Sequence, residues 1–190
     1  MQTLLEKDSI FCSQGDTSSK HTPKKIFKSA KGIFLYDDKN IKYLDMQMFN
    51  SATNFGYQNE AYNDCLQKQL TTLPSLAAEF MNENRILLSE KICNYMNLNY
   101  GVNGRVHFTV GGAQAVDDAL KLAFNYTGKK GVICFEGGYH GRTMAASSIS
   151  SSYRYTRQFG NVIDTYTIPF PNCAACAYDR QYCEDNNLYC

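Results

Sequence analysis

The chain has 190 residues, 44% of them hydrophobic and 19% charged, which is a globular composition and excludes a disordered polyelectrolyte. A formal net charge of +1 gives no reason to expect nucleic acid or an anionic membrane as a partner. No apolar run approaches the ~20 residues needed to span a bilayer, and Met1 to Asp8 lacks the basic start and apolar core of a secretory signal, so a cytoplasmic protein is expected.

Met1 to Thr22 is polar and without periodicity, and is expected to be an arm with little structure. Gly32 to Tyr36 and Ile41 to Asp45 read as two strands joined by the turn Asp37 to Asn40, a hairpin. Met46 to Gly56 is irregular. Helical spacing of Ala61, Cys65, Leu66 and Leu70 predicts a helix over Asn59 to Leu73, and a second follows over Asn84 to Met96. Arg105 to Val110 reads as a strand ended by Gly111 and Gly112. Ala113 to Tyr126 is an amphipathic helix stopped at Gly128, and Gly131 to Phe135 is a further strand. Strand, helix and strand in this order predict a βαβ unit with a parallel sheet. A serine-rich helix over Ala145 to Tyr155 and a strand over Asp164 to Ile168 complete the pattern.

Two loops carry the candidate chemistry. Gly111 and Gly112 stand between a strand and a helix N-terminus, where backbone N–H groups lack partners and the helix dipole favours an anion. The same pair also suits a tight turn with no ligand, and the residues alone leave both readings open. The spacing matches neither a dinucleotide fingerprint nor a P-loop. Asp117 and Asp118 in the following helix are read as dipole complement and as partners of Lys121. Tyr139-His140-Gly141-Arg142-Thr143 follows the next strand, at the sheet edge where α/β proteins bind ligands. A tyrosine face can stack on a flat ring, and an arginine can grip a carboxylate. Taken singly, each is equally an ordinary loop residue.

Of eight cysteines, Cys65, Cys93 and Cys134 fall in apolar-periodic segments as small hydrophobes, and Cys12 lies apart. Cys173, Cys176, Cys183 and Cys190 form a C-x2-C-x6-C-x6-C series. Four thiolates could hold zinc or an iron–sulfur cluster, although the later spacings match no zinc ribbon, and four reduced thiols in a loop is the alternative.

G-G-A-Q-A-V-D-D-A-L-K-L-A (Gly111 to Ala123) followed by F-E-G-G-Y-H-G-R-T (Phe135 to Thr143) resembles the class III pyridoxal-phosphate-dependent aminotransferases, the family of ornithine, 4-aminobutyrate and acetylornithine aminotransferases. Ala30 to Asp45 is similar to the family's N-terminal hairpin, and Asn54 to Tyr57 to its next segment. The likeness runs from about Lys28 to Arg157. It implies an α/β fold of the PLP-dependent transferase fold type I, here incomplete. The expected division is an arm and hairpin over residues 1–55 and the first part of a parallel-sheet, cofactor-binding large domain over residues 56–190.

The resemblance also implies roles. Gly111, Gly112 and Ala113 would form the phosphate site, with the N–H groups of Gly112 and Ala113 as donors. Tyr139 would stack on the pyridine ring, His140 would shape the pocket, and Arg142 would hold a substrate carboxylate. Pyridoxal 5′-phosphate is the implied cofactor. The implied reaction is transamination between an amino donor and a 2-oxo acid, in a homodimer when complete. The sequence departs from the family at Gly111, where Ser or Thr is common, and at Gln114, where Glu is common and a helix-cap interaction is at stake. It also lacks a match to the family's Schiff-base lysine, since Lys121, Lys129 and Lys130 stand on or just after the helix. The expectation is therefore a truncated or split enzyme, inactive by itself. The alternative is a catalytically incomplete cofactor- or metal-binding module that partners a complete aminotransferase. Some family members carry a Cys-x-x-Cys cluster site at a position similar to Cys173 and Cys176.

Overall fold

A computed structural model describes residues 3–13, 24–151, 161–175 and 180–186. The chain divides into two compact units, Met1–Arg105 and Val106–Cys190, taken here in turn.

The first unit opens with helix α1, Leu4–Phe11, in a segment expected to be an unstructured arm. The signal missed is a capping box: the Thr3 hydroxyl accepts from Glu6 N at 3.2 Å, and the Glu6 carboxylate accepts from Thr3 N at 2.7 Å. The expected hairpin is present as β2, Phe34–Asp37, and β3, Lys42–Leu44, with Leu35 opposite Tyr43. A strand that the sequence did not announce, β1, Phe27–Lys31, pairs antiparallel with β2 and makes a three-stranded sheet. Asp37 is buried at the hairpin turn and accepts from Lys39 N, Ile41 N and the Tyr43 hydroxyl at 3.0, 2.8 and 3.0 Å. Burial works to raise this carboxyl, but the three hydrogen bonds, with Lys25 nearby, outweigh it and hold it below the ordinary range.

After β3 the chain makes a helical turn, α2, Met48–Ser51, whose sense is left-handed. Its four residues have φ of 45, 53, 54 and 65°, and none is glycine. An L-residue in this region costs roughly 1–2 kcal/mol. Asp45 opposes that cost: one carboxylate oxygen accepts from Gln47 N and Met48 N, and the other takes the Tyr57 hydroxyl at 2.6 Å. Tyr57 is itself fixed by a two-way backbone bridge to Gly32, at 2.7 and 2.9 Å. Next to it, a Cβ on Gly56 would come within 2.9 Å of the Gly32 carbonyl oxygen.

Helix α3, Glu60–Thr72, and helix α4, Glu83–Tyr100, match the sequence pattern within a few residues. Each begins at an asparagine whose side chain accepts a backbone N–H, Asn59 from Tyr62 and Asn82 from Arg85. Gly101, at φ 66°, ends α4.

The second unit contains α5, Gly112–Thr127, stopped as expected by Gly128 at φ 67°. It also contains β4, Val132–Phe135, the short helix α6, Met144–Ser148, β5, Thr165–Ile168, a 3₁₀ turn at Cys173–Ala175, and helix α7, Arg180–Asp185. A parallel sheet is present, but between different strands from those expected. β4 pairs with β5, Val132 opposite Thr165 through Phe135 opposite Ile168. The segment Arg105 to Val110 is not a strand, because no ladder partner receives its backbone groups among the described residues.

The expected helix Ala145 to Tyr155 stops at Ser148, and its far end falls among residues 152–160, outside those described. The serines explain the stop, since their hydroxyls bond backbone and compete with the helix. Ser148 Oγ donates to Met144 O and accepts from Val162 N, while Ser150 Oγ donates to Ala146 O at 2.8 Å. Among the described residues of the unit, the enclosed side chains are Cys134, Ala146, Ser147, Ser148, Ile149 and Ser150. No helix of the described residues is long and apolar enough to cross a membrane.

Two outcomes follow for the first unit. Phe49, 72% exposed, gives up little packing on truncation. Phe49→Gly is expected to raise unfolding free energy by about 0.5–1 kcal/mol, as relief of the left-handed cost exceeds the added chain entropy; chemical denaturation checks it. The hydroxyl of Tyr57 and the N–H groups of Met48 and Gln47 hold the Asp45 carboxyl below its ordinary value of 3.8. The stability this gives is complete above the unfolded value and is lost as pH falls through the lower folded value. Tyr57→Phe is therefore expected to cost stability at neutral pH and to converge with the parent protein as pH falls through the lowered folded value of Asp45, read from denaturation midpoints across pH.

Candidate functional site

The N-terminus of α5 is built as an open amide turn. Gly111 is extended, with φ 178°, and its carbonyl accepts from Ala115 N at 3.0 Å and from the Thr109 hydroxyl at 3.1 Å. The N–H groups of Gly112 and Ala113 belong to the first turn, where the helix offers no carbonyl to receive them. A Cβ on Gly111 or Gly112 would meet nothing within 4 Å, so there is room before these amides for an anion. Gln114 reaches back from the same turn, its Oε1 accepting from Val110 N at 3.4 Å. That contact goes to the residue before the N-cap Gly111, and not to the N-cap N–H itself.

The second loop leaves β4 through a turn in which Gly138 N donates to Phe135 O, with Gly137 at φ 75°. Tyr139 and Arg142 are exposed, and His140 is half-buried with its backbone N–H donated to Ser150 Oγ at 2.9 Å. The His140 ring lies over Gly138, whose added Cβ would come within 3.3 Å of Nε2. Between the histidine and the arginine stands Gly141, buried, at φ 135°. A Cβ there would lie 2.6 Å from Ala113 Cβ and 2.9 Å from Ala113 Cα. The two glycine loops predicted from sequence are therefore in direct contact, and the contact falls on Ala113 itself.

The aspartates of α5 behave differently from the expectation that both face Lys121. Asp118 stands 3.1 Å from His107 Nε2. Asp117 turns to the second loop, where one carboxylate oxygen accepts from the Thr143 hydroxyl at 2.8 Å and from Ala146 N at 3.0 Å. Sequence reasoning missed Asp117, Thr143 and Ser150 as organisers of the site. Thr143 stood inside the motif, but a contact spanning 26 residues leaves no local signal.

The cysteine series gains no support as a metal site. Cys173 and Cys183 are described, whereas Cys176 and Cys190 lie outside the described residues. Among the described residues no group of three His, Cys, Asp or Glu side chains gathers.

The family model for "Aminotransferase class-III" matches residues 16–187. The chain belongs to the class III aminotransferases. An ornithine aminotransferase 2 of Staphylococcus aureus is 30% identical over 149 residues, 74% of this chain and 36% of the relative. The acetylornithine aminotransferase of Archaeoglobus fulgidus is 29% identical over 136 residues, 72% of this chain and 35% of the relative. The solved taurine:2-oxoglutarate aminotransferase of Bifidobacterium kashiwanohense, in complex with PLP and glutamate, shares the fold with a TM-score of 0.81 at 24% identity, covering 98% of this chain and 43% of that one. This aminotransferase chain thus spans well under half the length of the relatives it matches. Mixed α/β architecture with a parallel sheet is shared with these transaminases, as the resemblance implied.

Gly141→Ala is expected to lower stability by about 2 kcal/mol, because neither the positive φ nor the contact with Ala113 backbone can be relieved cheaply. Gly104→Ala, where a Cβ meets nothing within 4 Å, serves as the control and is expected to stay within about 0.5 kcal/mol. Equal denaturation midpoints for the two variants would contradict the close approach.

Proposed function

We propose that this chain contributes the phosphate cradle and the ring platform of a pyridoxal-phosphate-dependent aminotransferase acting between an amino donor and a 2-oxo acid. The observation that carries the reading is the seating of Gly141 on Ala113, which sets the amide turn of α5 beside the loop bearing Tyr139 and Arg142. The residues present fit the group. Open space before Gly111 and Gly112 suits a phosphate, and a tyrosine on the neighbouring loop suits a flat ring.

In this reading the N–H groups of Gly112 and Ala113 bind the phosphate, aided by the α5 dipole. Tyr139 stacks on the pyridine and His140 shapes the wall beside it. Arg142 orients the carboxylate of an amino acid or oxo acid through a bidentate contact. Bound there, pyridoxal phosphate would supply a carbonyl that takes up an amino group and a ring that withdraws electrons.

The amine that would link the cofactor is proposed to come from outside these residues. Lys121 is exposed on α5, and Lys129 and Lys130 follow its C-terminal end, roughly 24 Å along the axis from the amide turn at 1.5 Å per residue. Large exposed apolar side chains, with Val110 at 98% and Tyr126 at 90%, support further protein covering this unit, in a homodimer or beside a lysine-bearing chain.

Titration of the purified protein with pyridoxal phosphate, followed by cofactor fluorescence, tests the reading. Saturable binding is expected. Tyr139→Ala should weaken it roughly five- to tenfold, and Arg142→Ala should leave it unchanged while weakening carboxylate binding. Absence of saturable binding, or indifference to Tyr139, would refute the proposal.

A further inference from the structure

Helix α6 begins at Thr143, whose backbone has the extended shape of an N-cap residue, φ −65° and ψ 161°. An N-cap threonine ordinarily turns its hydroxyl inward to accept the N–H of the second or third helical residue. Thr143 makes no such side-chain cap. Its hydroxyl instead donates to Asp117 Oδ1, and that same oxygen accepts the N–H of Ala146, the third residue of the helix. The cap is borrowed from α5. Asp117 lies five residues after Gly112, on the helix whose first turn forms the amide cradle, so one carboxylate ties that cradle to the start of α6. The tie acts beside a second one, the seating of Gly141 on Ala113.

We propose that Asp117 is a positioning residue that fixes the loop Tyr139–Thr143 against the amide turn, so that recognition of the ring, as distinct from the phosphate, depends on it. The loop is held at its middle, where Gly141 sits on Ala113 and its carbonyl accepts from Ser150 Oγ at 3.5 Å, and Asp117 holds its far end. Its near end is fixed by Gly138 N donating to Phe135 O at the end of β4 and by His140 N donating to Ser150 Oγ, just after α6. The far end enters a helix of only five residues, whose start relies on the borrowed carboxylate. Arg142 lies directly before this far end, and freedom there would spread the arginine and loosen the seating of Gly141 that sets Tyr139 beside the amide turn. An anion taken by the N–H groups of Gly112 and Ala113 would draw its hydrogen bonds from α5 and none from the side chains of the loop. The two parts of the ligand therefore separate: the phosphate half is indifferent to Asp117 and the ring half is not. This inference rests on the pyridoxal phosphate reading only for the identity of the ring, since the tie itself involves protein atoms alone.

The test compares the parent protein with Asp117→Ala, Asp117→Asn and Thr143→Val. Asparagine keeps an acceptor oxygen of the same shape and removes the charge, so it is the rescue. Without ligand, hydrogen exchange of the amides from Tyr139 to Ala146 is expected to accelerate about fivefold or more in Asp117→Ala, as the loss of a helix cap implies. It should return close to the parent rate in Asp117→Asn, with an intermediate effect in Thr143→Val. With ligand, Asp117→Ala should weaken pyridoxal phosphate about tenfold while inorganic phosphate affinity stays within about twofold, and Asp117→Asn should restore the former. Exchange unchanged in Asp117→Ala overturns the inference whatever the ligand results. A parallel fall in affinity for both ligands also overturns it, by showing a general loss of structure. Failure of the parent protein to bind pyridoxal phosphate, with exchange behaving as expected, removes the proposed function and leaves the tie supported.

Discussion

The second unit depends on one close approach, that of Gly141 to Ala113. The absence of a Cβ at Gly141 lets the loop after β4 lie directly on the first turn of α5, and a methyl group there would overlap both the Ala113 side chain and its backbone. Interiors resist such overlap because packed atoms have nowhere to move. The loop can therefore occupy this position only with glycine, and only at a φ that other residues rarely adopt. The first turn of α5 and the loop that carries the tyrosine and arginine lie against each other because this contact exists.

Aspartates organise the rest by a common device. Asp37 gathers two backbone N–H groups and a tyrosine hydroxyl at the hairpin turn. Asp45 gathers two N–H groups of the left-handed turn and the Tyr57 hydroxyl. Asp117 gathers a threonine hydroxyl and a helix-start N–H. An ionised carboxylate is acceptor-only and offers about four lone-pair directions, so it suits places where several donors converge. In each case the backbone donors among them are ones that no regular ladder satisfies.

Much of the fold was legible because it is local. The alternating strands of the hairpin, the helical spacing in α3 and α5, and the αL stop at Gly128 each rest on residues a few positions apart. The amide turn and the Tyr139 loop were legible as motifs for the same reason. Errors fell where the outcome depends on a distant partner or on competition between weak local signals. Arg105 to Val110 has a strand's composition but no ladder partner among the described residues. The serines after Met144 could have continued a helix or bonded backbone elsewhere, and tertiary partners such as Val162 N favoured the latter. α1 was missed although its capping box is local, because its short apolar pattern is weak.

The sequence by itself determined the order of elements, the two glycine loops and the family to which they belong, since propensity, capping and motif spacing are properties of neighbouring residues. Tertiary structure alone decided which strands pair, β4 with β5, because a ladder needs a partner in space. It also decided what Asp117 does. From its neighbours it reads as a helix charge near Lys121; only with the chain folded does Thr143, 26 residues on, present a hydroxyl to it. The physical reason is the same in both cases: a hydrogen bond is chosen by distance and direction between groups, and the chain's order fixes neither across a loop.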